Sequence, residues 1–279
     1  MWRRMPPSAW LGSLIILLVV FAAALAPLLA PHSQTAPIGG VWDPPSLSEP
    51  LGTDSLGRDM ASRLMFGART SVGIALVCAV LAFVFGIMSG FIAAAVGGWT
   101  DALLSRAADV LMAVPVLIYA LMVFSVLGTS IPIMLVTIAV LEAARVFRVA
   151  RAVAAGIVVL EFVQIARLRG EGLGWILLRE ILPNALPPLV AEFGMRFCFI
   201  FLFIASLSFL GLGIQPPTPD WGSMVRENAQ AISFGAYAPL YPAAAIALLT
   251  VGVNMMVDWL LALHARPGGA MQAGSGADV

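Results

Sequence analysis

The sequence has no lysine, and only 11% of its residues are charged, where a soluble domain carries about a quarter. A chain without lysine cannot contain a glycine-rich phosphate loop ending in Lys-Ser or Lys-Thr, so it is not itself a P-loop ATPase. Its two cysteines, Cys78 and Cys198, each lie inside an apolar run and read as small core residues rather than a disulfide. The redox compartment is therefore left open. His32 and His264 are solitary, with no neighbouring Cys or His of a ligand pattern, so no metal site and no cofactor bound by this chain are expected. No long Ser/Gly linker, internal repeat or low-complexity tract divides the chain. The formal net charge of zero gives no reason to expect a nucleic-acid partner.

What is present is apolar length. Of 279 residues, 61% are hydrophobic, and the apolar runs have the length that crosses a bilayer, roughly 20 residues. The first runs from about Ala9 to Ala30, longer than the about 7 to 15 residues of a signal-peptide core, so it reads as an uncleaved span. Further spans are expected at about Thr70 to Gly97, from near Pro115 to Gly128, Ile131 to Val149, Pro187 to Gly213 and Leu240 to His264. The expected fold is an all-α integral membrane protein of six transmembrane helices. Its parts would be an N-terminal helix with an external loop (1–68), a five-helix core (69–265) that includes a cytoplasmic loop at about 151–186, and a disordered tail (266–279). Ten of the fifteen arginines fall on the side of the two termini and that loop. Four fall on the other side, interspersed with acids, and Arg196 lies within a span. Arginine accumulates on the cytoplasmic side, which places both termini inside.

Between these spans, Leu51–Gly52–Thr53–Asp54 reads as a turn, and Asp59 to Gly67 as a short amphipathic helix with Met60, Leu64 and Met65 against the membrane surface. Asp54, Arg58, Asp59 and Arg63 read as mutual salt bridges and a helix cap, because no activated nucleophile or base accompanies them. No catalytic residue is expected. Gly86 and Gly90 have the spacing that lets two helix backbones approach, most simply within this chain. Trp99 suits an interface, Asp101, Arg106 and Asp109 a short inner loop, and Pro115 a kinked entry to the third span. Glu142, Arg145, Arg148 and Arg151, three apart, form a basic stripe on one helical face. Glu192 and Arg196, four apart, form an ion pair deep within the fifth span, facing the translocation path or a partner subunit rather than lipid. The proline-rich loop from Ile214 to Pro239 reads as extended and external.

The polar stretch from Glu161 to Pro188 stands apart. Phe162, Ile165 and Ala166 at helical spacing predict a short amphipathic helix with a docking face, with Gln164, Arg167 and Arg169 pointing elsewhere. Gly170 ends that helix and allows a sharp turn. A second helix with Leu173, Ile176, Leu177 and Ile181 on one face runs until Pro183 and Pro187–Pro188 break it.

In order, Gln164–Ile165–Ala166, Gly170 and Leu182–Pro183 resemble the cytoplasmic coupling loop of ABC importer permeases, whose pattern is Glu-Ala-Ala, three residues, Gly, nine residues, Ile-x-Leu-Pro. Ala166, Gly170, Leu182 and Pro183 match; Gln164, Ile165 and Glu180 depart from it. The stretches LGTDSLGRDMASRLMFGARTSV (Leu51 to Val72), ILPNALPPL (Ile181 to Leu189) and SFLGLGIQPPTPDWG (Ser208 to Gly222) extend the likeness over most of the chain. Together they resemble the C-type permease subunit of dipeptide, oligopeptide and nickel importers. The resemblance implies a type I importer permease in a bacterial inner membrane, with Phe162, Gln164, Ile165, Ala166, Gly170, Leu182 and Pro183 in the coupling loop. It implies a heterodimer with a second permease, two cytoplasmic ATPase subunits that use ATP, and an external substrate-binding protein. Peptide, nickel, opine and other solutes stay open. The rival reading is a secondary transporter working through mid-membrane charges, at which Glu192 and Arg196 alone hint.

Overall fold

The structure is a computed structural model that describes residues 5–264; Arg3, Arg4, Arg266 and the tail expected to be disordered lie outside the described residues. Among the described residues the chain is helical, with isolated bridges but no strand. In order it forms α1 (Pro7–Ala24), α2 (Ala26–Leu29), α3 (Met60–Val96), α4 (Gly98–Ala113), α5 (Val116–Leu127), α6 (Ile131–Val158), α7 (Glu161–Leu168), α8 (Leu173–Trp175), a π-helical turn (Ile176–Ile181), α9 (Leu182–Phe209), α10 (Trp221–Glu227), a 3-10 segment (Ala229–Phe234) and α11 (Leu240–His264). Four helical stretches are long and apolar enough to cross a membrane: Pro7–Ala24, Met60–Val96, Leu173–Phe209 and Leu240–Leu263. Two bent pairs, α4 with α5 and α6 with α7, bring the number to six if each is one span.

Several expected boundaries move. The Asp59 carboxylate accepts from the backbone N–H groups of Ala61 at 3.3 Å and Ser62 at 3.0 Å, so it caps α3 directly. The helix then runs 37 residues without a break, about 55 Å at 1.5 Å per residue. The short surface helix expected at Asp59 to Gly67 is thus the first turns of α3. Met60 is buried in protein, not laid on the membrane, and the division expected at residue 68 falls inside this helix. Asp101, Arg106 and Asp109 belong to α4, a helix of 16 residues rather than a short loop. Pro115 follows it, and α5 leaves at 87° to α4. The fourth span continues past Val149 to Val158.

The prolines expected to end the hairpin do not interrupt it. Leu173 to Phe209 is one helical rod with Pro187 and Pro188 inside it. Leu182 donates to the Leu177 carbonyl five residues back. The change from five-back to four-back bonding therefore falls at Pro183, the residue with no N–H to donate. Asn184 Nδ2 adds a bond to the Glu180 carbonyl at 2.7 Å. The segment 214–239 is not extended either: it folds into α10 and the 3-10 segment, with Trp221 and Met224 buried.

α3, α6 and α9 form the centre. Phe83 of α3 meets Phe193 of α9 edge-on, with ring centroids 5.0 Å apart. α3 lies against α6 through Gly86 and Gly90. A Cβ at Gly86 would sit 2.6 Å from Val146 Cβ and 2.8 Å from the Ala143 carbonyl oxygen. A Cβ at Gly90 would sit 2.8 Å from both Arg151 N and Phe147 O. The spacing is used within the chain, backbone against backbone. Gly73, in the same helix, has no atom within 4 Å of such a Cβ. Gly86→Val should therefore lower stability by about 1–3 kcal/mol through overpacking, while Gly73→Val should leave it nearly unchanged. Thermal unfolding of the two purified variants in detergent checks this, and equal midpoints would contradict the close approach.

Candidate functional site

The two ends of the bundle carry different polar structures. At the end where α3 begins, Asp54, Arg58 and Arg63 form the expected ion pairs: Arg58 Nε donates to Asp54 Oδ2 at 2.7 Å, and Arg63 Nε lies 3.2 Å from the same oxygen. Sequence reasoning missed the fourth member, Glu227 of α10, whose Oε2 accepts from Arg63 at 2.9 Å and Arg58 at 3.1 Å. Burial pushes the Glu227 carboxyl up, against the pull of Arg58. Asn228, fully buried, binds the same loop through Ser55 N at 2.9 Å and Trp42 Nε1 at 3.2 Å. Asp220 caps α10 through Ser223 N at 3.0 Å and accepts from Ser71 Oγ at 2.7 Å. Trp221 Nε1 donates to the Leu64 carbonyl at 2.9 Å, and a Cβ at Gly222 would collide with the Ala205 carbonyl of α9. Two motifs about 165 residues apart in sequence, around Asp54 and Asp220, thus close on one another and on the end of α9.

At the opposite end, α6 turns by 76° into α7. The turn after α7 is a double clamp: Gly170 N donates to Arg167 O at 2.9 Å and Glu171 N to Ala166 O at 3.2 Å. Gly170 sits at φ +82°, the left-handed region, and no atom lies within 4 Å of where its Cβ would be. The demand for glycine is therefore conformational, not steric. α8 and the π turn return along α7, with Ile176, Leu177 and Ile181 buried as expected and Leu173 exposed. Leu182 is half-buried and Pro183 exposed at the start of α9.

The expected docking face needs one correction. Ala166 is wholly buried, beside Val163, in the cluster formed with α6 and α9. It seats α7 on its own bundle. The outward edge consists of Phe162, Ile165 and Leu168, of which Leu168 is 88% exposed. Gln164 is exposed but turned back on the chain, donating to the Val158 carbonyl at 2.8 Å. Arg167 donates to the Ala95 carbonyl of α3 at 2.8 Å, and Arg169 lies over the Trp175 ring at 5.7 Å.

The basic stripe of α6 is also revised, because α4 supplies acids to it. Arg148 pairs with Asp109 at 2.6 Å, and Arg151 Nη2 with Asp101 at 2.5 Å. Glu142 and Arg145 belong instead to a chain of charges that includes the expected pair. Arg196 Nε donates to Glu192 Oε1 at 2.5 Å, Arg196 Nη1 lies 3.6 Å from Glu142 Oε2, and Arg145 Nη1 pairs with Glu142 Oε1. Glu142 and Glu192 are buried, at 5% and 7% exposure. Arg196 stands about 21 Å along α9 from Leu182 and about 20 Å from Phe209, which is mid-membrane depth. The acid of α6 that joins the pair has no signature in spacing along α9.

Residues 82–266 match the family described as binding-protein-dependent transport system inner membrane component. The dipeptide transport system permease protein DppC of Alkalihalophilus pseudofirmus is 34% identical over 254 residues, 90% of this chain and 83% of that protein. The di/tripeptide transport system permease protein DppC of Pseudomonas aeruginosa is 34% identical over 89% of this chain and 84% of its own length. The glutathione transport system permease protein GsiD of Pectobacterium atrosepticum is 32% identical over 93% and 87%. The secondary-transporter alternative finds no support in these matches. A multi-pass helical bundle with this hairpin, matched along nine-tenths of its length, belongs to the binding-protein-dependent inner-membrane components and is a permease subunit of an ATP-driven ABC importer.

Proposed function

We propose that the chain forms half of a translocation pathway for peptides, paired with a second permease subunit. The solute class rests on the similar proteins, which are named for dipeptides, di- and tripeptides and glutathione. Two ATPase subunits engage the α7–α8 hairpin from the cytoplasm and use the ATP; this chain binds no cofactor and has no chemistry of its own. A substrate-binding protein delivers the solute at the opposite end, beside the Asp54–Glu227 cluster. Both termini lie in the cytoplasm of a bacterial cell, with the hairpin and most of the arginines.

The observation that carries this reading is the hairpin itself. Its outward edge of Phe162, Ile165 and Leu168 has no cover among the described residues, while its inner face is locked to α6 and α9. A partner that pulls on the edge therefore pulls on the spans, and the rod from Leu173 to Phe209 carries the motion across the membrane. The ATPase subunits of such an importer offer the grooves that the edge requires.

Gly170→Val tests the coupling. A β-branched residue at φ +82° strains the turn by about 1–2 kcal/mol or more and has no room problem to confuse the result. Gly170→Asn, which tolerates that region, is the control. In reconstituted complexes at equal permease content, the Val variant should insert normally but lose ATPase association or most uptake per ATP hydrolysed, and the Asn variant should retain both. Unchanged uptake and hydrolysis in the Val variant would overturn the assignment.

Orientation is tested separately. Single cysteines at Ser46 and Gln230, both exposed at the Asp54 end, should react in intact cells with a membrane-impermeant thiol reagent, and one at the exposed Gly172 should not. The native Cys78 and Cys198 are buried and contribute little background. Labelling of Gly172→Cys alone would invert the topology.

A further inference from the structure

The charge chain on α6 and α9 is built asymmetrically. Its two carboxylates, Glu142 and Glu192, are buried, whereas the side chains of Arg145 and Arg196 are 32% and 22% exposed. Both guanidinium groups flank the one Glu142 carboxylate, Arg145 at Oε1 and Arg196 at Oε2. Arg196 uses only Nε in a hydrogen bond, and Arg145 only Nη1; among the described residues the other N–H groups of both forks donate to nothing. Glu142 Oε2 is buried and accepts no hydrogen bond. The Arg196 guanidinium rests over the Phe199 ring at 5.8 Å, and that ring is 63% exposed.

A partly bare guanidinium at mid-membrane depth is too costly to leave against lipid, so this edge faces water or protein. Its free groups are planar donor forks, which match a carboxylate in two-point geometry. The buried acids behind them bring the net charge of the four groups to zero. That balance keeps the edge from becoming a trap: a solute in transit must be held strongly enough to enter and weakly enough to leave. Phe199 gives an apolar surface beside the fork.

We propose that the Arg145–Arg196 edge is a carboxylate-binding station midway along the translocation pathway, taking the carboxylate of the solute as it passes. The proposal rests on the reading that this chain lines half of that pathway.

The test uses the complex purified with its permease and ATPase partners, with Cys78→Ala, Cys198→Ala and Phe199→Cys in this chain. Reaction rates of the new thiol with an anionic sulfonatoethyl and a cationic trimethylammonioethyl methanethiosulfonate are measured, each divided by its rate with free mercaptoethanol. The anionic reagent should be favoured by at least about tenfold, as a cation about 6 Å away dictates even with substantial screening. Arg196→Gln, which leaves two carboxylates against Arg145 alone, should abolish the preference or reverse it toward the cationic reagent. Glu192→Gln with Arg196→Gln, which keeps the network neutral and so preserves folding, should bring the ratio close to one. Reaction with neither reagent would place Phe199 in lipid or a sealed interface and overturn the proposal. A preference that survives both substitutions would overturn it as well. Neither result touches the Gly170 experiment, so failure of the station and failure of the importer reading are separable.

Discussion

The close approach of α3 to α6 governs the rest of the molecule. Two helix backbones touch only where side chains are absent, and Gly86 and Gly90 provide that absence over one turn. In lipid, where apolar tails compete equally for apolar side chains, such packing contacts are the main attraction between helices. With α6 fixed on α3, three things follow from its length. Its middle brings Glu142 to α9, its next turns bring Arg148 and Arg151 to the acids of α4, and its end delivers α7 at a set angle. Arg167 ties α7 back to the end of α3 through the Ala95 carbonyl. The hairpin is thus seated on both of the helices whose contact sets the bundle.

Charge is handled in the same economical way. A chain with so few ionisable groups still buries Asp54, Arg58, Asp59, Arg63, Glu142 and Glu192. Each lies beside an opposite charge or caps a helix, because an isolated ion in a low-dielectric interior is far more costly than a pair. At the start of α3, ion pairs and the side chain of Asn228 join loop, α3 and α10 beside the buried Met60, Trp221 and Met224.

Much of this was legible in the residues. Apolar length located the spans, Gly86 and Gly90 their contact, Gly170 the turn, and Glu192–Arg196 the deep pair. The misreadings share one cause, which is that a local rule was overruled by tertiary structure. Pro183, Pro187 and Pro188 break helices in water, but a change of hydrogen-bond register and a neighbouring Asn side chain let the rod continue. The proline-rich segment before Asp220 looked extended because nothing in it announces the Ser71 hydroxyl and Leu64 carbonyl that organise α10. Ala166 shares a helical face pattern with Phe162 and Ile165, yet on an eight-residue helix a single alanine cannot signal which side the bundle takes. Glu142 and Glu227 complete their clusters from distant helices, and sequence spacing is blind to that.

The rod from Leu173 to Phe209 has a mechanical consequence. At 37 residues it is about 55 Å long, and Arg196 stands not far from its midpoint. A shaft of that length tilted by about 5° around its centre swings each end through roughly 2.4 Å, comparable to the register between neighbouring side chains. The same tilt leaves the centre almost still. In such a tilt the ion pairs of Arg196 would lie near the fulcrum, where partners on another helix are kept, while the hairpin and the Ala205–Gly222 junction would move with the two arms.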